Sequence, residues 1–372
     1  MKKNIGITGQ AGFIGTHLSN YLRLKTDECT QIPFEDCYFD HEAKLDEFIH
    51  DCDVIVHLAG MNRHEDQNVI YQTNIELIKK LIASMDRLNH HPHILFSSST
   101  QEERDNMYGK SKKDGRGLLA RNAREHQSVF SGLIIPNVFG PFGLPFYNSV
   151  VATFCYQLAH DKQPQIDIDA DLDLIYVNNL VKIIYDIIQK QFNHQEIRIK
   201  PDKTLKVSDI LAKLQDYKAV YLEKNIIPKF NTRFETALFN TYRSFIGHDH
   251  YPVPLDVRSD HRGHLIELLK SHVGGQVFYS ATKPGITRGN HYHRRKIERF
   301  CVLQGDALIK LRKIGTNEVI DYHVTGHRPA TIDMPIFYTH NIKNIGDSDL
   351  LTLFWTNELY DPDDPDTYYE EV

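Results

Sequence analysis

Cysteine is scarce in this 372-residue chain, and the residues present do not pair: Cys29, Cys37, Cys52, Cys155 and Cys301 are scattered and never spaced as CxxC. An odd, dispersed set argues against a disulfide framework or a zinc ribbon and for a reducing compartment. Long apolar runs are missing as well. The best candidate, SGLIIPNVFGPFGLPFYNSVVA, is cut by three prolines and three glycines. No stretch therefore meets the roughly 20 residues that a membrane-spanning helix needs. The opening MKKNIGITGQAGFIG places basic residues before an apolar stretch, but glycines interrupt it and no apolar core of signal-peptide length follows. Positive charge is not in excess either: 43 Lys and Arg against 49 Asp and Glu leave a net charge of -6. That balance gives no general attraction to nucleic acid or to an anionic membrane. Together these absences predict a soluble, cytoplasmic protein.

What is present is an ordinary globular composition, 41% hydrophobic and 25% charged. The length exceeds that of a usual single domain and predicts two. Residues 1–245 alternate short apolar runs (NIGITG, DVIVHLAG, PHILFSSS, FSGLIIPNVFG) with longer amphipathic ones such as NVIYQTNIELIKKLIASMDRL. Strand–helix alternation of this kind predicts an α/β fold, a doubly wound parallel sheet. From about residue 246 the texture changes. GHDHYPVPLDVRSDHRGHLIELL is rich in turn residues and prolines, and short β-type segments follow: GQVFYSATKPG, RFCVLQGDALIKLRK, NEVIDYHV and DLLTLFWTN. Residues 246–372 are therefore expected to form an all-β barrel or jelly roll. The acidic, proline-bearing tail DPDDPDTYYEEV reads as a surface extension.

Four features of the front half carry chemistry. Thr8-Gly9-Gln10-Ala11-Gly12-Phe13-Ile14-Gly15 lies between an expected strand and helix, where glycines let the backbone approach a pyrophosphate at the helix's positive end. Leu58-Ala59-Gly60 closes a strand in HLAG, where the adenosine side of a cofactor would lie. Tyr108 and Lys112, four residues apart in YGKSK, share one helix face. A nearby ammonium is expected to lower the phenol pKa, as a proton donor and acceptor to a sugar carbonyl requires. The run SSST, residues 97–100, ends a strand just upstream and offers a hydroxyl to polarise that carbonyl.

In this order and context the features resemble the extended short-chain dehydrogenase/reductase family, over nearly all of residues 1–245. PNVFGP, DLIYVNNLVK and Asn74 in QTNIELIKKL resemble further landmarks of that family. The resemblance implies a Rossmann-type fold, a nicotinamide cofactor and a nucleotide-sugar substrate. It implies Tyr108 as acid/base and Lys112 as its modulator and a ribose ligand. Asn137 and Val138 are implied beside the cofactor. For the hydroxyl it implies Ser99, with Thr100 or Ser98 as rivals, although only eight residues separate Ser99 from Tyr108. TQIPFEDCYFD, where NAD and NADP enzymes differ, shows neither a ribose-binding Asp nor an arginine clamp.

In the back half, His291 and His293 stand two apart in GNHYHRRKIERFCVLQG, so on a strand both project to one side. Glu298 can return from the far side of a tight hairpin. Two imidazoles with a carboxylate suit a borderline divalent cation. The pattern from Gly285 through His291, His293 and Glu298 to Gly305 resembles the first motif of the cupin superfamily, and PIFYTHNIKN resembles its second. There His340 and Asn344 match the fourth ligand and the trailing asparagine, while Phe337 replaces the usual glycine. The set expected is His291, His293, Glu298 and His340, with a metal-free or purely structural barrel as the alternative. The basic run Arg288, Arg294, Arg295, Lys296 and Arg299 reads equally as a solvated face or as a diphosphate clamp.

A reductase followed by a cupin resembles the CapF/FnlB/WbjC-type bifunctional enzymes of bacterial capsule and O-antigen synthesis, on the path to UDP-N-acetyl-L-fucosamine. That resemblance implies NADPH, Zn(2+) and a homodimer. It further implies C3 epimerisation of UDP-2-acetamido-2,6-dideoxy-β-L-arabino-hexos-4-ulose in the cupin, then C4 reduction to the L-talose derivative. The C3 base stays open between the metal-adjacent histidines and Lys296. Two rivals are a single-function epimerase or dehydratase with a structural cupin used for dimerisation, and a non-catalytic NADP sensor.

Overall fold

The computed structural model describes residues 2–255, 257–260, 263–266, 269–271, 275–358 and 361–372. Every expected site residue lies among these, while parts of GHDHYPVPLDVRSDHRGHLIELL lie outside them. The chain divides into two compact units, residues 1–153 with 168–207, and residues 154–167 with 208–372.

In the first unit β1 (Lys3–Thr8) leads through α1 (Phe13–Arg23), β2 (Cys29–Ile32), α2 (Glu42–Asp51), β3 (Val54–His57), α3 (Gln67–Leu88), β4 (His93–Ser99) and α4 (Met107–Glu125) to β5 (Phe130–Ile135). The elements β6 (Asn137–Phe139), α5 (Val150–Ala159, of which residues 154–159 belong to the second unit), β7 (Asp171–Tyr176), α6 (Val177–Lys190), β8 (His194–Arg198) and β9 (Lys203–Lys206) follow. Six strands in the order β2-β1-β3-β4-β5-β8 form one sheet, parallel throughout. Its central strands are continuous apolar runs because helices cover both faces: Ile5, Ile7, Ile55, Val56 and Leu95 are wholly buried. The apolar stripe of α3 (Ile78, Leu81, Met85) packs with Phe48, Phe96 and Leu119 into one core. Strand order reverses between β1 and β3, and the crevice beyond their carboxyl ends is where such sheets take ligands.

The second unit carries α7 (Val207–Tyr217) for most of its length, α8 (Arg233–Arg243) and two five-stranded antiparallel sheets. One sheet runs Val253–Pro254, Ala330–Met334, Glu298–Gln304, Leu350–Thr356, Gln276–Thr282. The other runs Val319–Thr325, Asp306–Lys313, Tyr338–Asn344, Thr287–Tyr292, Tyr368–Tyr369. Alternate residues Ala307, Ile309 and Leu311 of the second sheet share a core with Phe300, Val302 and Phe354 of the first, as period-two patterning dictates. Residues 208–245, read from sequence with the front half, belong to this unit. Helical periodicity marks α8 as amphipathic without saying which sheet it covers; here Arg243 Nη2 donates to Met334 O at 3.0 Å and Asn240 Nδ2 to Arg295 O at 3.2 Å.

The tail departs from expectation. It is no surface extension, because Tyr368 and Tyr369 pair with Tyr292 and His291, and Asp366 is buried. Among the described residues no helix is long and apolar enough to cross a membrane.

Candidate functional site

The glycine-rich turn between β1 and α1 is built for close approach. Gly9 has φ +69°, and a Cβ there would meet Ala59 N at 2.7 Å, while one on Gly15 would meet Gly9 O at 2.3 Å. A side chain on Gly9 would drive the turn away from Leu58 and Ala59 at the end of β3, and one on Gly15 would drive α1 away from the turn itself. Gly12 caps α1 without any side-chain hydrogen bond, and Phe13 and Ile14 form the first turn half-buried. The first amides of α1 are thus left for an anion.

Tyr108 and Lys112 lie on the first turns of α4, with the Lys112 Nζ 5.7 Å from the centre of the Tyr108 ring. Asn106 caps the helix through the Gly109 amide at 2.7 Å. Asn74 on α3 bridges this site to the β3 loop: its Nδ2 donates to Ser111 Oγ and Met61 O, both at 2.9 Å, and its Oδ1 accepts from Met61 N at 2.7 Å. A Cβ on Gly60 would lie 3.1 Å from Asn74 Oδ1 and 3.4 Å from Lys112 Nζ. The structure therefore gathers Gly60, Asn74 and Lys112 at one point.

The expected lowering of the Tyr108 pKa is not found. Burial, with the Tyr147 phenol as a smaller contributor, pushes it up to about 12. Burial likewise brings Lys112 down to about 8, against the opposing pull of Glu102. Desolvation disfavours both charged forms.

Of the three candidate hydroxyls, Ser98 is committed elsewhere, donating to Glu102, which forms a buried ion pair with Arg116 at 2.6 Å. Ser99 caps the short helical turn Thr100–Glu103 by accepting from Gln101 N at 3.2 Å. This turn shortens the path to Tyr108 by packing directly on α4: a Cβ on Gly109 would lie 1.9 Å from Gln101 O. Asn137 is exposed, its Nδ2 donating to Asp173 O at 3.2 Å, and Val138 is half-buried beside it on β6.

In the second unit the four expected ligands converge. One ligand atom from each of His291, His293, Glu298 and His340 lies within 4.8 Å of all the others. Glu298 Oε2 is the hub, 3.0 Å from His293 Nε2, 3.2 Å from His340 Nε2 and 3.9 Å from His291 Nε2. Register explains the meeting: a bulge at Gly289 and Asn290 sets His291 opposite His340 on the neighbouring strand. Glu298 arrives differently from the expected hairpin, since its strand lies in the other sheet, paired with Met334 and Thr356.

Two of the imidazoles have fixed tautomers. His293 Nδ1 donates to Asp366 O at 2.6 Å and His340 Nδ1 to Tyr338 O at 3.2 Å. Each Nε2 lone pair is thereby turned inward, as an orienting carbonyl does for a metal ligand. His293 Nε2 is buried with no hydrogen bond of acceptable angle, close as it is to Glu298. Burial would raise the Glu298 carboxyl, but the charge that His293 can carry and the close approach of all three imidazoles hold it well below the usual range. Three nitrogens and an anionic oxygen around an unsatisfied buried nitrogen fit a borderline divalent cation.

Asp366 had no signal in the local sequence. Its carboxylate accepts from the Arg295 and Lys296 amides at 2.8 Å and from the Arg294 amide at 3.2 Å, clasping the turn between His293 and Glu298. Phe337, in place of a glycine, keeps a left-handed backbone at φ +58°. Asn344 is a buried clasp, donating to Thr282 O at 2.8 Å and Ser348 O at 2.9 Å. The basic run is not one patch: Arg299 is a core residue paired with Asp333 at 2.6 Å, and Arg295 pairs with Asp364 at 2.8 Å and Glu358 at 3.2 Å.

Residues 5–199 match the family described as NAD dependent epimerase/dehydratase, and residues 258–368 the polysaccharide biosynthesis C-terminal domain. The chain belongs to the NAD dependent epimerase/dehydratase family. It is 32% identical over 373 aligned residues, 97% of each chain, to a Pseudomonas aeruginosa protein named UDP-2-acetamido-2,6-beta-L-arabino-hexul-4-ose reductase. The crystal structure of the capsular polysaccharide assembling protein CapF from Staphylococcus aureus superposes with TM-score 0.60 and 34% identity, covering 99% of this chain and 100% of that one. A shorter relative, the probable low-salt glycan biosynthesis epimerase Agl13 of Haloferax volcanii, is 31% identical over 131 residues, 32% of this chain and 84% of its own. This epimerase/dehydratase member thus carries the glycine turn and the tyrosine–lysine pair together with a carboxy-terminal part found in polysaccharide biosynthesis, as the two halves of the sequence imply.

Proposed function

We propose that the chain is a bifunctional nucleotide-sugar enzyme that inverts C3 of UDP-2-acetamido-2,6-dideoxy-β-L-arabino-hexos-4-ulose and then reduces C4, giving UDP-2-acetamido-2,6-dideoxy-β-L-talose. Residues 1–245 would serve reduction with NADPH. Residues 246–372 would close as a cupin barrel around Zn(2+) held by His291, His293, Glu298 and His340, in a homodimer. The observation that carries the reading is the convergence of three imidazoles on the Glu298 carboxylate in a chain whose full-length relative is named a 4-ketose reductase. The Haloferax volcanii relative, named a probable epimerase, supports the second activity.

When bound, the nicotinamide supplies the hydride and the cation supplies positive charge beside the ketone oxygen. The rest falls to the chain. A hydrogen at C3 is acidic because its loss gives an enolate; a base on the chain, a histidine near the cluster or Lys296, removes it, and a proton returned to C3 from the opposite face restores the ketone with that carbon inverted. In the first unit Gly9, Gly12, Phe13, Ile14 and Gly15 would cradle the pyrophosphate, with Leu58, Ala59, Gly60, Asn137 and Val138 lining the cofactor. Lys112 would hold the ribose, and Ser99 would donate to the C4 oxygen. Tyr108 gives that oxygen its proton; a phenol pushed up to about 12 stays protonated at neutral pH, which reduction requires.

Incubating the enzyme with the 4-keto sugar and NADPH or NADH in D2O, with NMR of the product, tests this. The reading expects deuterium at C3 of a product reduced at C4. Reduction with no exchange at C3, or C3 exchange that persists in the His291→Gln/His293→Gln variant, would favour the single-function enzyme with a structural cupin.

A further inference from the structure

A second cluster of ligating side chains lies in the first unit and shares no residue with the sites described above. Asp86 on α3, His91 just after that helix and His126 at the end of α4 each bring one ligand atom within 4.8 Å of the others. His126 Nε2 is 3.3 Å from Asp86 Oδ1, and the His91 and His126 rings lie face to face with centroids 3.7 Å apart. Asn122 donates from Nδ2 to Asp86 Oδ1 at 2.9 Å and so orients the carboxylate. His91 is half-buried between the exposed Asp86 and His126, and both of its ring nitrogens are shielded from solvent beside the Asn122 side chain. A shielded imidazole nitrogen whose hydrogen bonding is incomplete loses free energy that a ligand would restore.

The backbone adds a second argument for a cation. Helix α3 ends at the left-handed C-cap Asn89 and α4 at the C-cap His126, so the negative ends of two long helices meet at this cluster. Two imidazoles and one carboxylate from the ends of adjacent helices supply a three-ligand set of the kind borderline divalent cations take, once the exposed His126 ring turns out of its stack on His91.

We propose that Asp86, His91 and His126 form a second divalent transition-metal site, whose ion ties the carboxyl end of α3 to that of α4. The site is structural. It lies about 27 Å along α4 from Tyr108, at 1.5 Å per residue, and about 18 Å along α3 from Asn74. Its ion would brace the far ends of the two helices that carry those residues without touching substrate.

The test uses the untagged full chain with Zn(2+) and Co(2+) as probes. Metal content after equilibrium dialysis and thermal unfolding would be measured for the wild type, His91→Gln and His126→Gln. The wild type should bind one equivalent more than either variant, and Zn(2+) at about a hundredfold excess over Kd should raise its Tm by about 3 °C more than theirs. Ketone reduction should be the same in all three. Equal metal content in folded wild type and variants would overturn the proposal, as would an equal rise in Tm. Should His91→Gln fail to fold, Asp86→Asn replaces it and must lose the same equivalent. The outcome is independent of the Glu298 cluster, whose ligands are intact in every variant.

Discussion

Asp366 accepts the Nδ1 proton of His293 on its own carbonyl at 2.6 Å, across 73 positions of chain. Its carboxylate meanwhile takes the amides of Arg294, Arg295 and Lys296. One residue of the tail thus sets the tautomer of an expected ligand and the turn that separates it from Glu298. Asp366→Ala should leave those buried amides unsatisfied, at about 1–3 kcal/mol each where no water replaces the carboxylate. Zinc affinity should fall by roughly 10–100-fold, as loss of such orienting groups does. Urea unfolding and zinc titration check this; an unchanged zinc affinity would contradict the role given to the tail.

Tyr108→Phe removes the one phenol on the first turn of α4. C4 reduction should fall by about 100- to 10,000-fold, the usual contribution of a positioned acid. Deuterium exchange at C3 should persist if that chemistry belongs, as proposed, to the other unit. Single-turnover oxidation of NADPH, read beside NMR of the sugar, separates the two. Loss of both activities at once would point to a single shared site.

Gly109→Ala would ordinarily favour a helix by about 1 kcal/mol. Here the new methyl would lie 1.9 Å from Gln101 O, so the turn Thr100–Glu103 has to move and Ser99 with it. The expected result is a folded protein with kcat reduced more than KM is raised. A variant as active as the wild type would show that the turn, and the hydroxyl it carries, does not position the ketone.

Acid should destabilise the first unit well above the carboxylate range. Burial brings His57 down to about 3 and His93 to about 4. An imidazole free in the unfolded chain titrates near 6.5, so between that value and the folded one the unfolded state holds the extra proton. Stability therefore rises with pH across this window and is lost as pH falls from 6.5 toward 3–4. Urea midpoints at pH 7 and pH 5 measure the loss, and a His93→Gln variant that folds should show a smaller one.

Much of this arrangement was legible in the chain. Apolar runs of strand length between amphipathic stretches marked the parallel sheet, and the spacing of His291, His293 and Glu298 picked out side chains that do converge. Other features were not legible because they are non-local. Nothing near Ser98 says that Glu102 and Arg116 will claim its hydroxyl. Nothing near Arg299 says that it faces the buried Asp333 and not a diphosphate. The lowering expected for Tyr108 was read from a charge four residues away, whereas burial, which no spacing encodes, decides its direction.

The sequence by itself determined which groups are available and how far apart along one element they stand: a tyrosine and a lysine on one helix face, two histidines flanking one residue, glycines where a backbone must come close. Those follow from local geometry, 3.6 residues to a helical turn and two to a strand repeat. Only the tertiary structure decided that His340 sits opposite His291, that Glu298 reaches them from a different sheet, and that Asp366 returns from the tail to hold the turn. Such meetings depend on strand register and on which faces bury together, and these minimise the free energy of the whole unit, not of any stretch within it.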